Sequence, residues 1–280
     1  MLPNVKKAKA TIGILAVFSA LTLSACSGGG GGGGSSASSG SSATELKPGV
    51  YDIGTQYVGG ASREGLSLFS PTGAFVSGFV DDENPELKAY TFGSLAFFAP
   101  NKISGDVVEY QLKPRSEDTS WVKIDGTLSG QVVDSGRADL TASSNGKVSS
   151  ISVVLRKPEL SDSSLTFEKM AETYNMPGPG AENISSITIG PGGAIEGMDI
   201  DECVFNGQVV IPDEAINVFE FTYNASNCPA LAAESASVSA RNGDFSGLGT
   251  LNIATNELIF YSRKSNSDDA WAWMFKGIKQ

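Results

Sequence analysis

The sequence predicts an all-β protein built from two tandem antiparallel β-rich repeats of about eight strands each, in the form of small barrels or sandwiches. Short segments alternate apolar and polar residues, as in Phe219–Tyr223 and Trp271–Phe275, and this period of two is typical of strands with one buried face. Gly, Asn, Asp, Pro and Ser separate such segments about every 8–12 residues, which is the spacing of a meander, sandwich or barrel. The hydrophobic fraction of 40% is enough for a core.

The two halves share short motifs in the same order. The matching pairs are Pro71–Phe75 with Pro191–Ile195, Gly126–Gly130 with Gly243–Gly247, and Arg156-Lys157 with Arg263-Lys264. The number of residues between a motif and its match changes slowly along the chain, as differences in loop length would cause. We therefore place a first β repeat at residues 45–173 and a second at 174–280; the alternative is one meander whose hairpins resemble each other.

Eight strands are expected in the first repeat. They are Val50–Ile53, Leu66–Phe69, Ala74–Val80, Tyr90–Phe98, Ile103–Leu112, Val122–Val133, Val148–Leu155 and Leu165–Phe167. Phe167, Met170, Ala171 and Tyr174 have helical spacing, so a short helix competes at that point. Eight antiparallel strands can close into a barrel, which removes the edges that invite aggregation.

Residues 1–25 have the features of a secretory signal peptide. Lys6, Lys7 and Lys9 form a basic segment, and an uncharged, mostly apolar run from Ala10 to Ala25 follows. That run has 16 residues, whereas a membrane-spanning helix needs about 20. The segment is therefore expected to direct export and to be removed.

The run ends in Leu23-Ser24-Ala25-Cys26, which resembles a bacterial lipobox. This resemblance implies cleavage before Cys26, a diacylglycerol thioether on its sulfur and an acylated amine. Ser27 in the next position implies, by the same resemblance, sorting to the outer membrane, with the protein facing the periplasm or the cell surface. The alternative is an ordinary signal peptide with an incidental Cys.

Residues 26–44 form the predicted lipidated Cys and tether. From Ser27 to Thr44 the chain contains only Gly, Ser, Ala and Thr, including seven consecutive glycines from Gly28 to Gly34. Such a segment has no side chains to bury and behaves as a flexible coil with a root-mean-square span of about 24 Å.

Charge excludes one class of partner. The chain has 20 basic and 31 acidic residues, and three of the basic ones precede Cys26, so 17 remain against 31 and the net charge is −14. A chain this acidic repels nucleic acids and anionic lipid head groups. Membrane attachment is therefore expected to depend on the lipid.

Cys203 and Cys228 are the other two cysteines. They lie on either side of Ala215 at similar distances, beside a turn-like Pro212–Glu214. Residues equidistant from a hairpin turn face each other, and an exported chain meets an oxidising compartment. We predict a disulfide between them; a zinc site is the poorer alternative because it lacks further ligands.

Candidate sites are few. The sequence has no His, which excludes His-based triads and His metal ligation. Asp199, Asp201 and Glu202 are the candidate calcium ligands, but they lack the spaced order of a calcium loop, and a solvated acidic turn is the alternative. The candidate ligand-lining residues are Trp271, Trp273 and Phe275, whose alternative role is to fill the second core.

The sequence thus predicts a non-catalytic, lipid-anchored envelope protein that needs no cofactor and binds a protein or glycan, or serves as a scaffold, through its β-lobes. A lipidated Cys, a polyglycine tether and two β-lobes resemble the layout of surface lipoproteins of the transferrin-binding protein B and factor H-binding protein type. One alternative is a carrier of a small apolar ligand in a calycin-like barrel. Another is a hydrolase that uses carboxylates.

Overall fold

The computed structural model describes residues 45–60, 62–79, 88–114, 119–176, 184–199, 201–229, 241–265 and 270–280. The predicted signal peptide, Cys26 and the tether lie outside these ranges. The described residues belong to one compact unit, in which two closed antiparallel barrels follow each other along the chain. The all-β class and the tandem arrangement are confirmed. Within the described ranges, no helix has the length and apolar character needed to cross a membrane.

The first barrel contains nine strands. They are Gly49–Tyr57 (β1), Ser62–Phe69 (β2), Ala74–Phe79 (β3), Ala89–Ser94 (β4), Ala96–Phe98 (β5), Lys102–Pro114 (β6), Thr119–Asp134 (β7), Arg137–Ser144 (β8) and Lys147–Arg156 (β9). Eight of them close the barrel, because β1 pairs with β9 and β4 pairs with β6. The short strand β5 pairs with the start of β6.

Two one-turn helices, Pro158–Ser161 (α1) and Phe167–Met170 (α2), lead to the second barrel. Its strands are Glu172–Asn175 (β10), Ile184–Ile189 (β11), Ala194–Asp199 (β12), Val204–Val210 (β13), Phe219–Ser226 (β14), Gly243–Asn252 (β15), Glu257–Lys264 (β16) and Ala272–Lys279 (β17). Each pairs with the next, and β10 pairs with β17 to complete the ring.

The prediction of a strand at Leu165–Phe167 is wrong. Leu165 is completely buried in the second core, and α2 begins at Phe167. Thr166 favours the helix because its hydroxyl caps the first turn, accepting a hydrogen bond from the Lys169 N–H at 3.4 Å. The helical spacing at this point, and not the alternating one, predicts the structure.

The strand that completes the first barrel is β8, which the sequence did not reveal. Its inward positions are Ala138, Leu140 and the partly exposed Ala142, and small side chains give a weak alternating pattern. The predicted single strand Tyr90–Phe98 is divided into β4 and β5 at Leu95, whose N–H bonds the carbonyl of Gly73.

The two barrels pack against each other through apolar side chains on their outer faces. The first barrel contributes Val50, Leu68, Val76, Tyr90, Phe92 and Tyr110, and the second contributes Val218, Leu248, Tyr261 and Ala272. Gly78 in β3 accepts the Tyr261 ring, since a Cβ at this position would lie only 2.6 Å from Cζ of that ring. This interface holds the barrels in one arrangement.

The linker adds polar contacts to the same arrangement. The Ser161 hydroxyl in α1 accepts a hydrogen bond from Val50 N–H at 2.9 Å and donates to the Val50 carbonyl at 3.1 Å. Asn217, next to β14, donates through its amide to the carbonyls of Leu160 and Leu251. Both side chains are buried, so they connect the linker to one barrel each.

Candidate functional site

The predicted disulfide between Cys203 and Cys228 is confirmed. The two residues flank the β13–β14 hairpin and are both buried. They close a loop with a sequence separation of 25 residues. Their place beside the hairpin, at one end of the barrel, indicates a stabilising role.

A buried ion pair lies next to the disulfide. The Asp199 carboxylate accepts hydrogen bonds from the N–H groups of Asp201 at 2.9 Å and Cys203 at 2.8 Å, and it pairs with the Arg241 guanidinium. The side chains of Asp199 and Arg241 are 0% and 2% exposed. Burial raises the pKa of Asp199, while the two backbone N–H groups and Arg241 oppose that rise.

This ion pair gives the candidate calcium ligands a different environment. An oxygen of Asp201 lies 3.6 Å from the Arg241 guanidinium, so two of the three carboxylates face a cation. Glu202 is exposed in the turn that follows β12. In the described part of the chain, no group of three or more acidic or Cys side chains is arranged to hold a metal ion.

The candidate ligand-lining residues Trp271, Trp273 and Phe275 are buried in the core of the second barrel. Phe275 stacks on Phe260 with ring centroids 4.9 Å apart, and the Trp273 indole N–H donates to the Tyr223 hydroxyl. Aromatic side chains thus fill this interior, an arrangement that counts against a carrier role for the second barrel.

A groove of about 270 Å³ lies where the two barrels meet. Ala74, Phe92 and Gly93 of the first barrel form one side, and the other side belongs to β13–β16 of the second. Neither barrel alone forms this groove. Among the described residues on its rim, only Val210 has a large apolar side chain that is exposed, to 54%.

Two charged side chains stand in the groove. The Arg263 guanidinium lies over the Phe92 ring, 5.3 Å from its centroid, in a cation–π arrangement. Glu220 accepts hydrogen bonds from the hydroxyls of Ser70 and Thr72, in the turn between β2 and β3. Each of these side chains belongs to the second barrel and contacts the first. The shape of the groove therefore depends on how the two barrels are arranged.

Sequence reasoning missed this groove and the partner of Asp199. Phe92, Glu220 and Arg263 come from three distant strands, and no local pattern brings them together. Arg241 is likewise 42 positions from Asp199. A weak signal was present in β3, where Ala74, Phe75 and Val76 are consecutive apolar residues, because such a run indicates burial on both faces of a strand.

The fold and the groove define the structural class of this protein, which is a tandem of two antiparallel eight-stranded barrels joined through an apolar interface. No family model and no curated protein matches the sequence. Among solved structures, the chain is similar to the Aeromonas veronii immune modulator A, with a TM-score of 0.40 and 10% identity over 85% of this chain and 96% of that one.

Proposed function

We propose that this chain is a non-catalytic, lipid-anchored protein of the bacterial outer membrane that binds a protein partner through the groove between its barrels. The groove carries the proposal because it draws residues from both barrels and has a volume of about 270 Å³. A site at such a junction depends on the complete tandem unit and not on either repeat alone.

The chemistry of the groove favours a protein segment as the partner. Arg263 on Phe92 combines a cation with an aromatic ring, the two residue types most often enriched at protein interfaces. Glu220 adds a carboxylate, and Val210 adds exposed apolar surface. A peptide offers groups complementary to all of these within a few residues.

The anchor rests on the sequence pattern at Cys26. One acyl chain binds a membrane only marginally, whereas two or more bind it stably. A tether of about 24 Å would let the barrels reach a partner beside the membrane without fixing their orientation.

Photocrosslinking tests the groove. A photoreactive amino acid at Val210, which is 54% exposed, should form a discrete adduct with one protein in intact cells. The matched control is Val133 on β7, which is 51% exposed and lies outside the groove. Adding Arg263→Ala should abolish the Val210 adduct. Equal adducts at both positions, or none at Val210, would contradict the proposal.

Membrane fractionation tests the anchor. Cys26→Ser should leave the chain unprocessed or release it from the membrane, because the acyl chains can no longer be attached. Cys203→Ser, which breaks the disulfide with Cys228 but leaves Cys26 intact, is the control and should remain with the membrane. If Cys26→Ser fractionates and migrates like the unaltered protein, the anchor is elsewhere.

The non-catalytic role has its own test. The purified protein should not turn over glycan, ester or peptide substrates. Turnover that Glu220→Gln abolishes would identify the groove as an active site and overturn this part of the proposal.

A further inference from the structure

The outer face of β9 is apolar and open to solvent. Ile151, Val153 and Leu155 point outward, and Ile151 and Leu155 are 56% and 50% exposed. Ser150 and Ser152, which alternate with them, point inward and are buried. A strand with one solvated face normally has the opposite pattern, with apolar residues inside and polar residues outside. We call Ile151, Val153 and Leu155 the β9 stripe.

The strands on either side of the β9 stripe have polar outer faces. Their outward residues beside the stripe are Asp52, Gly54 and Gln56 on β1, and Arg137, Asp139 and Thr141 on β8. A Cβ at Gly54 would meet no atom within 4 Å, so the surface beside Val153 is open. The β9 stripe is thus an apolar strip with polar residues on both sides, which is the arrangement of an interface with an apolar centre and a polar rim.

The pairing register places opposite charges on the two sides of the β9 stripe. Leu155 pairs with Asp52 of β1 and with Arg137 of β8, so these two charged residues lie at the same level along the barrel. A second copy of the chain, related by a twofold axis along β9, places its Arg137 over Asp52 and its Asp52 over Arg137. Each residue of the stripe then meets its own counterpart, as in an isologous dimer.

A twofold axis across the strands does not give this match. It places Asp52 opposite Gln56 of the second copy, because those two residues lie at equal distances from the level of Val153. Arg137 then faces Thr141, so neither charged residue meets an opposite charge across the interface. The register therefore favours the axis along β9.

Two features of the fold suit such a pair. The chain already joins two barrels through apolar side chains on their outer faces, such as Leu68 and Leu248. An axis along β9 also keeps the strand directions of both copies alike, so both β1 strands begin at the same end of the pair. Two copies anchored in one membrane need this geometry, an argument that rests on the proposed anchor.

We propose that the β9 stripe is the contact surface of a homodimer, in which Asp52 of each copy pairs with Arg137 of the other. Within one copy Asp52 pairs with Lys157 and Arg137 pairs with Asp139. These surface pairs contribute little free energy, so they do not compete strongly with contacts across the dimer. Three apolar residues per copy predict a weak dimer that dissociates in the micromolar range. The surface is separate from the groove, and Val133, two strands away on β7, lies outside it.

Cysteine crosslinking of the purified full-length protein, with a thiol-oxidising catalyst, tests the contact. Leu155→Cys should give a disulfide-linked dimer on a non-reducing gel, because the twofold axis brings the two new thiols together. Ile278→Cys on β17 is the matched control, since Ile278 is 44% exposed and lies on the second barrel, and it should give none. Absence of the dimer from Leu155→Cys, or equal amounts from both variants, would overturn the proposal.

Charge reversal tests the direction of the axis. In the Leu155→Cys protein, Arg137→Glu should lower the yield of dimer about tenfold, because two attractive pairs become repulsive in each dimer. Adding Asp52→Lys should restore the yield, since opposite charges again face each other. An Arg137→Glu variant that dimerises as before, or a yield that Asp52→Lys does not restore, would refute the twofold axis along β9.

A photoreactive amino acid at Ile151 identifies what covers the β9 stripe. In intact cells its adduct should contain two copies of this chain and no other protein. Arg263→Ala, which alters the groove between the barrels, should leave this adduct unchanged, so the dimer and the proposed groove partner are tested separately. An adduct with lipid or with a different protein would show another occupant and overturn the proposal.

Discussion

The buried ion pair of Asp199 and Arg241 offers the sharpest test of the structure. Asp199→Asn retains an oxygen that can accept the hydrogen bonds from Asp201 and Cys203 N–H, but it removes the nearer and fully buried of the two carboxylates that face Arg241. Loss of one partner of a buried pair costs about 3–5 kcal/mol. For a folded unit of this size the expected decrease in Tm is about 6–20 °C.

Urea unfolding followed by Trp fluorescence measures this loss, because Trp271 and Trp273 are in the same barrel as the pair. Asp139→Asn is the matched control: its partner Arg137 is 3.5 Å away and both side chains are about half exposed, so the cost should stay below about 1 kcal/mol. The double variant Asp199→Asn/Arg241→Met should be more stable than the sum of the single changes indicates. Equal effects of Asp199→Asn and Asp139→Asn would refute the buried pair.

Two further predictions concern the disulfide and the interface between the barrels. Replacing Cys203 and Cys228 by Ser should lower the free energy of unfolding by about 3.5 kcal/mol, since a loop of 25 residues is no longer closed; a reductant that destabilises this variant as much as the unaltered protein would contradict it. Gly78→Ala should cost about 1–3 kcal/mol by urea unfolding, because the new methyl group meets the Tyr261 ring. Gly54→Ala, which meets no atom within 4 Å, should be nearly neutral, and equal effects of the two would argue against the interface.

Local patterns predicted those parts of the fold that local chemistry determines. Alternation identified β14 and β17, because each places aromatic side chains inside; the residues between them are polar in β14, whereas in β17 they are Ala272 and Met274. The Cys203–Cys228 disulfide followed from hairpin symmetry, which also depends on a short segment. Prediction failed at β8, since Ala138 and Ala142 carry too little apolar surface to mark a buried face.

The groove, the ion pair and the contact between barrels could not be predicted in this way. Tyr90 and Tyr261 meet with ring centroids 5.7 Å apart although 171 positions separate them in the chain. Such contacts depend on how two closed barrels are oriented, and that orientation comes from the fit of side chains such as Tyr261 against Gly78. The pattern of residues within one strand cannot predict this orientation.

The apolar outer face of the first barrel has a consequence for how the chain matures. Leu68, Val76 and Tyr90 are completely buried only because the second barrel covers them. The first barrel ends at Arg156, so its strands are complete while 124 residues are still to come. Until the second barrel folds, the first barrel exposes this apolar outer face to solvent. A chaperone that shields the face until then would protect the chain from self-association.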